Sequence, residues 1–501
     1  MMAKNPIRQL AGETAIYGLS TILARVINFA LLPLYTRVLL NSQYGVVTEF
    51  MSYIAVLQVV MVMGLETGCF RYASKEGVDK RAVFSDAFIT VTAVCLLFLG
   101  CISLFSADIA EGLGYKGFSN VIIYVAGILA IDCPLAIIFA KLRHEHKALR
   151  FAVIKTLKIL TEVGMNLLLY LAMPAVFAAN PDHWMLHFVS PVPDYTYAIF
   201  AIFVSCLASL VLLLPDLFKL GLRFDASLWK KLMLYSLPLM VAGLPGVMND
   251  FIDRILMRFV NADPVMWRAD LGVYQAGVKL AVIMQLFSQM FRYAAEPFFF
   301  QREKDKGGRG TYARVLEYFV AFCMFGFVVI MLYIDDLGLL LGRDFRTGIA
   351  ITPIMLMAYI VTGMLFNVNM WYKLAEKTSY AVWVTLAGLA VSVVIDIIWM
   401  PVYSYHAAAW GHLASYLTML FLTAAMGRRY YPVPYDWPLI TVIILLGLGT
   451  WWLSTLLPEM GPWVTRAVHA FMTVLYVASL FAIFVFKKKH YRYESQDSQP
   501  F

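Results

Sequence analysis

Leu23-Ala-Arg-Val-Ile-Asn-Phe-Ala-Leu-Leu-Pro-Leu-Tyr-Thr-Arg37 is an otherwise apolar run that carries an arginine where a membrane helix would meet lipid. If the helix enters a bilayer at Glu13, Arg25 lies about 18 Å along its axis, near the middle of a hydrocarbon core about 30 Å thick. A guanidinium at that depth cannot reach water by stretching along the helix, so it should face protein or a wet cavity. The segment also has an echo. Val26 to Val38 aligns without gaps on Val247 to Phe259, which matches Asn28 with Asn249 and Arg37 with Arg258 and leaves Arg25 opposite Gly246. The match suggests two related halves.

Composition agrees with a membrane reading. Of the 501 residues, 61% are hydrophobic and 14% charged, and mean hydropathy is +0.73, values outside the soluble globular range. The formal net charge of +8 comes from basic residues in loops between apolar spans. That pattern points to a membrane surface and against nucleic acid. The six cysteines sit in or beside apolar spans without a C-x-x-C pair, so free buried thiols are expected and no metal or cofactor is. Lys4 and Arg8 precede a span without an A-x-A cleavage pattern, which reads as a retained first helix.

Runs long enough to cross lipid predict an all-α polytopic membrane protein with about 14 transmembrane helices. They fall near 12-38, 45-73, 82-106, 118-140, 148-174, 194-220, 228-260, 269-297, 311-334, 349-372, 379-401, 407-427, 437-457 and 463-486. Lys and Arg concentrate in alternate loops, which places both termini in the cytoplasm. The intervening set holds little beyond Lys116, Arg268, Arg343 and Arg346. Even numbers of crossings then give two parallel six-helix lobes around a central cavity, 1-220 and 221-430, with an additional helix pair at 431-486 and a cytoplasmic tail at 487-501. The Pro-rich stretch 174-193 reads as an external loop anchored by Trp184.

An ionisable group at a helix centre costs about 2.5 to 3.5 kcal/mol and needs a compensating role. The candidates are Arg25, Glu66, Asp132, Lys155, Lys158, Glu162, Asp250, Asp253, Arg254, Lys279, Arg292, Glu296 and Asp396. Offsets of three and seven put Lys155, Lys158 and Glu162 on one helix face, continued by Asn166, and that face should point inward. The bland reading is fixed ion pairs, such as Lys158 with Glu162 or Asp250 with Arg254. Arg37, Arg258 and Arg292 lie near membrane boundaries, where snorkelling to headgroups explains them. Pro238, Gly243, Pro245 and Gly246 should interrupt the seventh helix. No P-loop, H-E-x-x-H or G-x-S-x-G is present in the sequence, so nucleotide-driven transport and hydrolysis are not indicated. Asp335-Asp336 reads as a solvated loop.

At Ser20 to Arg37, Gln43-Tyr44-Gly45, Gly64-Leu-Glu-Thr-Gly-Cys-Phe-Arg-Tyr-Ala73, Asp253-Arg254-Ile-Leu and Leu271-Gly-Val-Tyr274, the chain resembles the oligosaccharide and polysaccharide flippases of the multidrug/oligosaccharidyl-lipid/polysaccharide exporter superfamily. The resemblance implies a V-shaped pair of six-helix lobes and a cationic cavity. It also implies a polyprenyl-diphosphate-linked glycan turned from the inner to the outer leaflet of a bacterial cytoplasmic membrane. Leu23 to Phe29 is similar to the first helix of the related lipid II flippases, in which an arginine at the position of Arg25 faces the cavity. A second arginine expected six residues later is Leu31 here, which favours the polysaccharide branch.

Arginine grips a diphosphate through a bidentate fork and lysine adds a compact charge. Arg25, Arg254 and Lys279 are therefore the diphosphate candidates. Glu66, Asp132, Lys155, Lys158, Glu162, Asp250, Asp253 and Asp396 are cavity polar groups or carriers of a coupling ion, H+ or Na+. Helices 13 and 14 could cradle the polyprenyl tail or simply anchor the chain in membrane lipid. The competing readings are a lipid II flippase, a multidrug or cation antiporter of the same superfamily, which would want an acid-dominated cavity, and a membrane glycosyltransferase or polymerase, which would want larger external loops.

Overall fold

The computed structural model describes residues 18, 22-23, 25-180, 183-187, 189-263, 265-302, 308-458 and 460-497, and among them every regular element is helical. The expected helix start near Glu13, the basic residues Lys4, Arg8, Lys304 and Lys306, the Glu296 side chain and the end of the tail lie outside the described residues. Helices are the natural solution for an apolar chain in lipid, because each satisfies its own backbone groups. Among the described residues 12 helices are long and apolar enough to cross a membrane. Of the two further spans expected, the first is described only in part. The other, Tyr405–Tyr430, is long enough but carries His406 and His412 and is not among the 12.

Several spans are broken where the sequence suggested continuous helix. The first ends at a turn over Ala30 and Leu31 and restarts as Leu32–Val38, with Pro33 in its first turn. Proline has no N–H, so the Phe29 carbonyl loses its helical donor. The second divides into Asn41–Val62 and Leu65–Ala73 at Met63 and Gly64, both with positive φ (54° and 69°). Glycine adopts this conformation freely and methionine does not. Gly64 is also needed for space, since a Cβ there would lie 2.5 Å from the Ser236 carbonyl oxygen. The fifth runs Ala148–Leu167, widens into a π turn over Leu168–Ala172 and resumes as Met173–Ala179. Pro174 withholds a donor from the preceding turn, and the Met173 N–H reaches back to the Leu168 carbonyl instead. The seventh span is not broken: it is one helix, Ala226–Val260, with Pro238 and Pro245 inside it, each proline removing one N–H from the ladder without ending the helix.

The chain forms two compact units. One comprises the described part of Met1–Ala276 with Gly342–Gly348 and Val382–Ser415; the other comprises Gly277–Leu341, Ile349–Ala381 and the described part of Tyr416–Phe501.

In the first unit, Ser119–His144 packs against Lys80–Leu104 and Tyr195–Phe218. Its small residues let neighbours close in, with Gly127 facing Phe203. Asn41–Val62 packs against Ala226–Val260. Beside them Gly45 and Gly272 bring two helices together backbone to backbone: a Cβ on Gly45 would fall 1.8 Å from the Arg268 carbonyl oxygen, and one on Gly272 1.9 Å from that of Asn41. Close backbone approach through small residues is how membrane helices gain packing energy without a hydrophobic drive.

In the second unit, Gly308–Leu332 packs against Thr352–Val368 and against the two C-terminal helices, Trp437–Thr455 and Pro462–Asp497. Lys487 pins this group, 2.7 Å from buried Glu317 and 2.9 Å from Asp436. Asp436 also caps Trp437–Thr455 by accepting from the Leu439 N–H.

The expectation for cysteines needs one change. Cys69, Cys95, Cys133, Cys206 and Cys323 are buried free thiols, but Cys101 is exposed.

Candidate functional site

A cavity of about 470 Å³ opens in the first unit among the first, second, fourth and fifth spans. Its charged and polar lining is Arg25, Asn28, Gln58, Glu66, Asp132, Arg143, Lys155, Lys158 and Glu162, with Phe139 and Phe151 on one wall. The local sequence explains this convergence. Lys155, Lys158 and Glu162 share one face of Ala148–Leu167, as their spacing suggests. Asp132 projects from Ser119–His144. The break at Met63–Gly64 places Glu66 in the first turn of its own short helix.

The charges are partly neutralised across helices. Lys158 Nζ lies 2.5 Å from Asp132 Oδ1, a pair on different helices where sequence spacing had suggested Lys158 with Glu162. Arg143 Nη2 lies 2.6 Å from Glu66 Oε2. Asn28 Nδ2 donates to Glu162 Oε1 at 3.3 Å. Below Glu162, Asn166 donates to the Glu162 carbonyl at 2.8 Å and accepts from the Tyr35 hydroxyl at 2.8 Å, fixing the helix that carries the cavity face. Lys155 is held differently: its ammonium sits 4.2 Å from the centroid of the Phe139 ring. The lining thus carries four cations against three carboxylates. In a site shielded from bulk water, an excess of positive charge favours an anionic guest, since Coulomb interactions are screened less than in water.

One of the three diphosphate candidates stands in this cavity. Arg25 lines the cavity. Arg254 belongs to a separate cluster of the same unit. It is buried, donates from Nη1 to the Asp250 carbonyl at 2.9 Å, and lies 5.0 Å from the Phe251 ring centroid. Lys279, half-buried, belongs to the second unit.

Around Arg254 the fully buried Asp253 accepts from the Arg254 N–H at 2.8 Å and from the Tyr274 hydroxyl, and His412 Nδ1 lies 3.8 Å from its Oδ2. Asp396, also fully buried, accepts from Ser392 Oγ at 3.4 Å, and Gly411 leaves room for its other oxygen, Oδ1. Asn249, the repeat partner of Asn28, accepts from Ser415 Oγ at 2.6 Å.

A third cluster was missed from the sequence. Glu49 is fully buried, 2.6 Å from Arg258 Nη1, and accepts from Tyr53 at 2.9 Å and from the Tyr115 hydroxyl. Arg258 is therefore half of an internal ion pair and not a headgroup anchor. The signal was available: an acid inside an apolar span requires a partner. Arg143 was missed as a cavity residue because it reads as one of several loop cations, although it occupies the last turn of Ser119–His144.

These features define a multi-pass helical membrane protein with a charged, net-cationic cavity bordered by its membrane-crossing helices. The chain belongs to the polysaccharide biosynthesis protein family, whose pattern it matches over residues 10–303. Comparison with curated proteins gave no match. Among solved structures the chain is similar to the lipid II flippase MurJ in an inward closed conformation, at 12% identity and TM-score 0.69, covering 94% of this chain and 99% of that one. It is also similar to a multidrug resistance MATE family transporter of the MOP superfamily in an inward-facing conformation (11% identity, TM-score 0.58, 86% and 95% covered). A MOP superfamily transporter from Pyrococcus furiosus follows, with 12% identity, TM-score 0.51, and 87% and 96% covered. At these identities the likeness establishes the polytopic helical fold.

Proposed function

We propose that this protein is a flippase that carries a polyprenyl-diphosphate-linked oligosaccharide from the inner to the outer leaflet of a bacterial cytoplasmic membrane, for assembly of a cell-surface polysaccharide. The observation that carries the reading is the cavity of the first unit, where Arg25, Arg143, Lys155 and Lys158 converge against three carboxylates. A lipid-linked glycan presents a diphosphate at the junction of tail and sugar, and a net-cationic, partly enclosed cavity suits that junction. Membership in a polysaccharide biosynthesis family supports the glycan, and the name of the flippase neighbour supports lipid-linked cargo. Arg25 is the leading diphosphate contact, with Lys155 beside it; Arg254 and Lys279 are secondary candidates.

In this reading the chain works as a transporter without catalysis, by alternating access, with both termini in the cytoplasm. Residues 1-220 and 221-430 are the two lobes of the proposed transporter and 431-486 an added helix pair. The buried acids Asp253 and Asp396 are candidates for the coupling ion.

Mass spectrometry of lipid that co-purifies with the protein tests the reading. A polyprenyl-diphosphate oligosaccharide is expected. Recovery of a peptide-bearing lipid II would transfer the assignment to that substrate, and phospholipid alone would remove it.

A further inference from the structure

The four cations of the cavity are not equivalent, and the difference lies in what holds them. Lys158 and Arg143 each lie within 2.6 Å of a carboxylate, so their charge is largely spent on Asp132 and Glu66. Lys155 feels the fields of Lys158, Asp132, Glu66 and Arg143, yet among the described residues it makes no ion pair. Its ammonium instead faces the Phe139 ring at 4.2 Å. That ring is in turn fixed edge-on against Phe151, with centroids 5.3 Å apart and planes at 75°. Phe151 precedes Lys155 by one turn on the same helix, so Phe139 is wedged between two residues of one helix face. Both rings are buried, and both line the cavity with Lys155.

A carboxylate partner would neutralise the lysine and compete with an anionic guest. An aromatic face attracts the ammonium through its quadrupole, fixes its position and leaves the full formal charge for a guest. We propose that Phe139 is a positioning residue that presents Lys155 as an anion-binding cation of the cavity, with the diphosphate of the carried lipid as the anion. The proposal rests on the lipid-diphosphate reading above and adds to it the residue that makes one cation available.

The test is a binding titration on the purified full chain in nanodiscs, with geranylgeranyl diphosphate as probe and geranylgeraniol as the uncharged control. Phe139→Leu, which retains apolar bulk and removes the ring face, should weaken diphosphate binding roughly three- to thirtyfold and leave the alcohol unaffected. Phe139→Tyr should stay near wild type. In a Lys155→Ala background, Phe139→Leu should have no further effect, because the ring acts through the lysine. Equal losses in the Leu and Tyr variants, or a Phe139→Leu loss that persists without Lys155, would make Phe139 a packing residue and overturn the proposal while leaving the lipid-diphosphate reading intact. A wild-type protein that does not distinguish the diphosphate from the alcohol would overturn both.

Discussion

Lys158 and Asp132 meet at 2.5 Å between two membrane helices, and this contact orients the whole charged face of Ala148–Leu167. The pair is partly shielded, with side-chain exposures of 13% and 22%, so losing one member leaves an uncompensated charge that membrane surroundings penalise. Asp132→Asn is expected to destabilise the protein by about 3 to 5 kcal/mol. The reversed pair, Asp132→Lys with Lys158→Asp, should recover much of the loss. Denaturation in detergent, followed by tryptophan fluorescence, checks this; equal stability of Asp132→Asn and wild type would mean that the pair is only a surface contact.

The Glu49–Arg258 pair predicts a different pattern. Glu49 keeps Tyr53 and Tyr115 as hydrogen-bond donors even without Arg258. Arg258→Ala strands a fully buried carboxylate, whereas Glu49→Gln keeps Oε1 as the acceptor for Arg258 and Tyr53, turns an NH2 toward the Tyr115 hydroxyl, and leaves uncompensated only the less buried guanidinium. Thermal unfolding should therefore show a larger loss for Arg258→Ala than for Glu49→Gln, with Glu49→Ala at least as damaging as Arg258→Ala.

Glycine substitutions separate packing from backbone freedom. Gly45→Ala sets a Cβ 1.8 Å from the Arg268 carbonyl oxygen, and a backbone atom cannot swing aside. Severe destabilisation, with reduced expression of folded protein, is the expected result. Gly164 also lies inside a helix but faces open space. Gly164→Ala should be neutral or stabilising by about 0.5 to 1 kcal/mol. Fluorescence-detected size-exclusion chromatography after heating compares the two variants directly.

Asp336 lies in the short helix Ile334–Gly338, where the sequence had suggested a solvated loop, and Arg466 grips it through Nη2 at 2.7 Å and Nε at 3.2 Å. The guanidinium holds the Asp336 carboxyl below the ordinary aspartate range. A carboxyl depressed in the folded state contributes stability above its unfolded pKa of about 3.9 and loses it as pH falls through the folded value. The difference in melting temperature between wild type and Asp336→Asn should therefore be small at pH 7, as suits an exposed pair, and should shrink further toward pH 3. A difference that grows on acidification would reverse the sign of the linkage.

The membrane class and the inward face of the fifth helix were legible because both depend on local pattern: apolar length and a 3.6-residue period. The cavity position of Arg25 was legible for a related reason, the cost of a cation in an apolar run. Partner choice was not. Lys158 selects Asp132, 26 residues away, and Arg143 selects Glu66, 77 residues away, and no helical periodicity encodes such choices. Helix breaks divided by cause. Pro33 and Pro174 broke or widened their helices, whereas Pro238 and Pro245 were absorbed in a continuous 35-residue helix. Proline chemistry alone does not decide between these outcomes when neighbouring helices can compensate.

Leaflet transfer by the purified protein in vesicles tests the central claim most directly. Vesicles carrying a fluorescent polyprenyl-diphosphate oligosaccharide are assayed for appearance of the sugar on the opposite face, with the wild type, Arg25→Ala and Arg25→Lys reconstituted in equal amounts. Wild type should transfer the lipid, Arg25→Ala should lose transfer with folding and expression unchanged, and Arg25→Lys, which keeps the charge and loses the fork, should retain partial activity. Full transfer by Arg25→Ala, or none by a folded wild type supplied with this lipid, would contradict the claim.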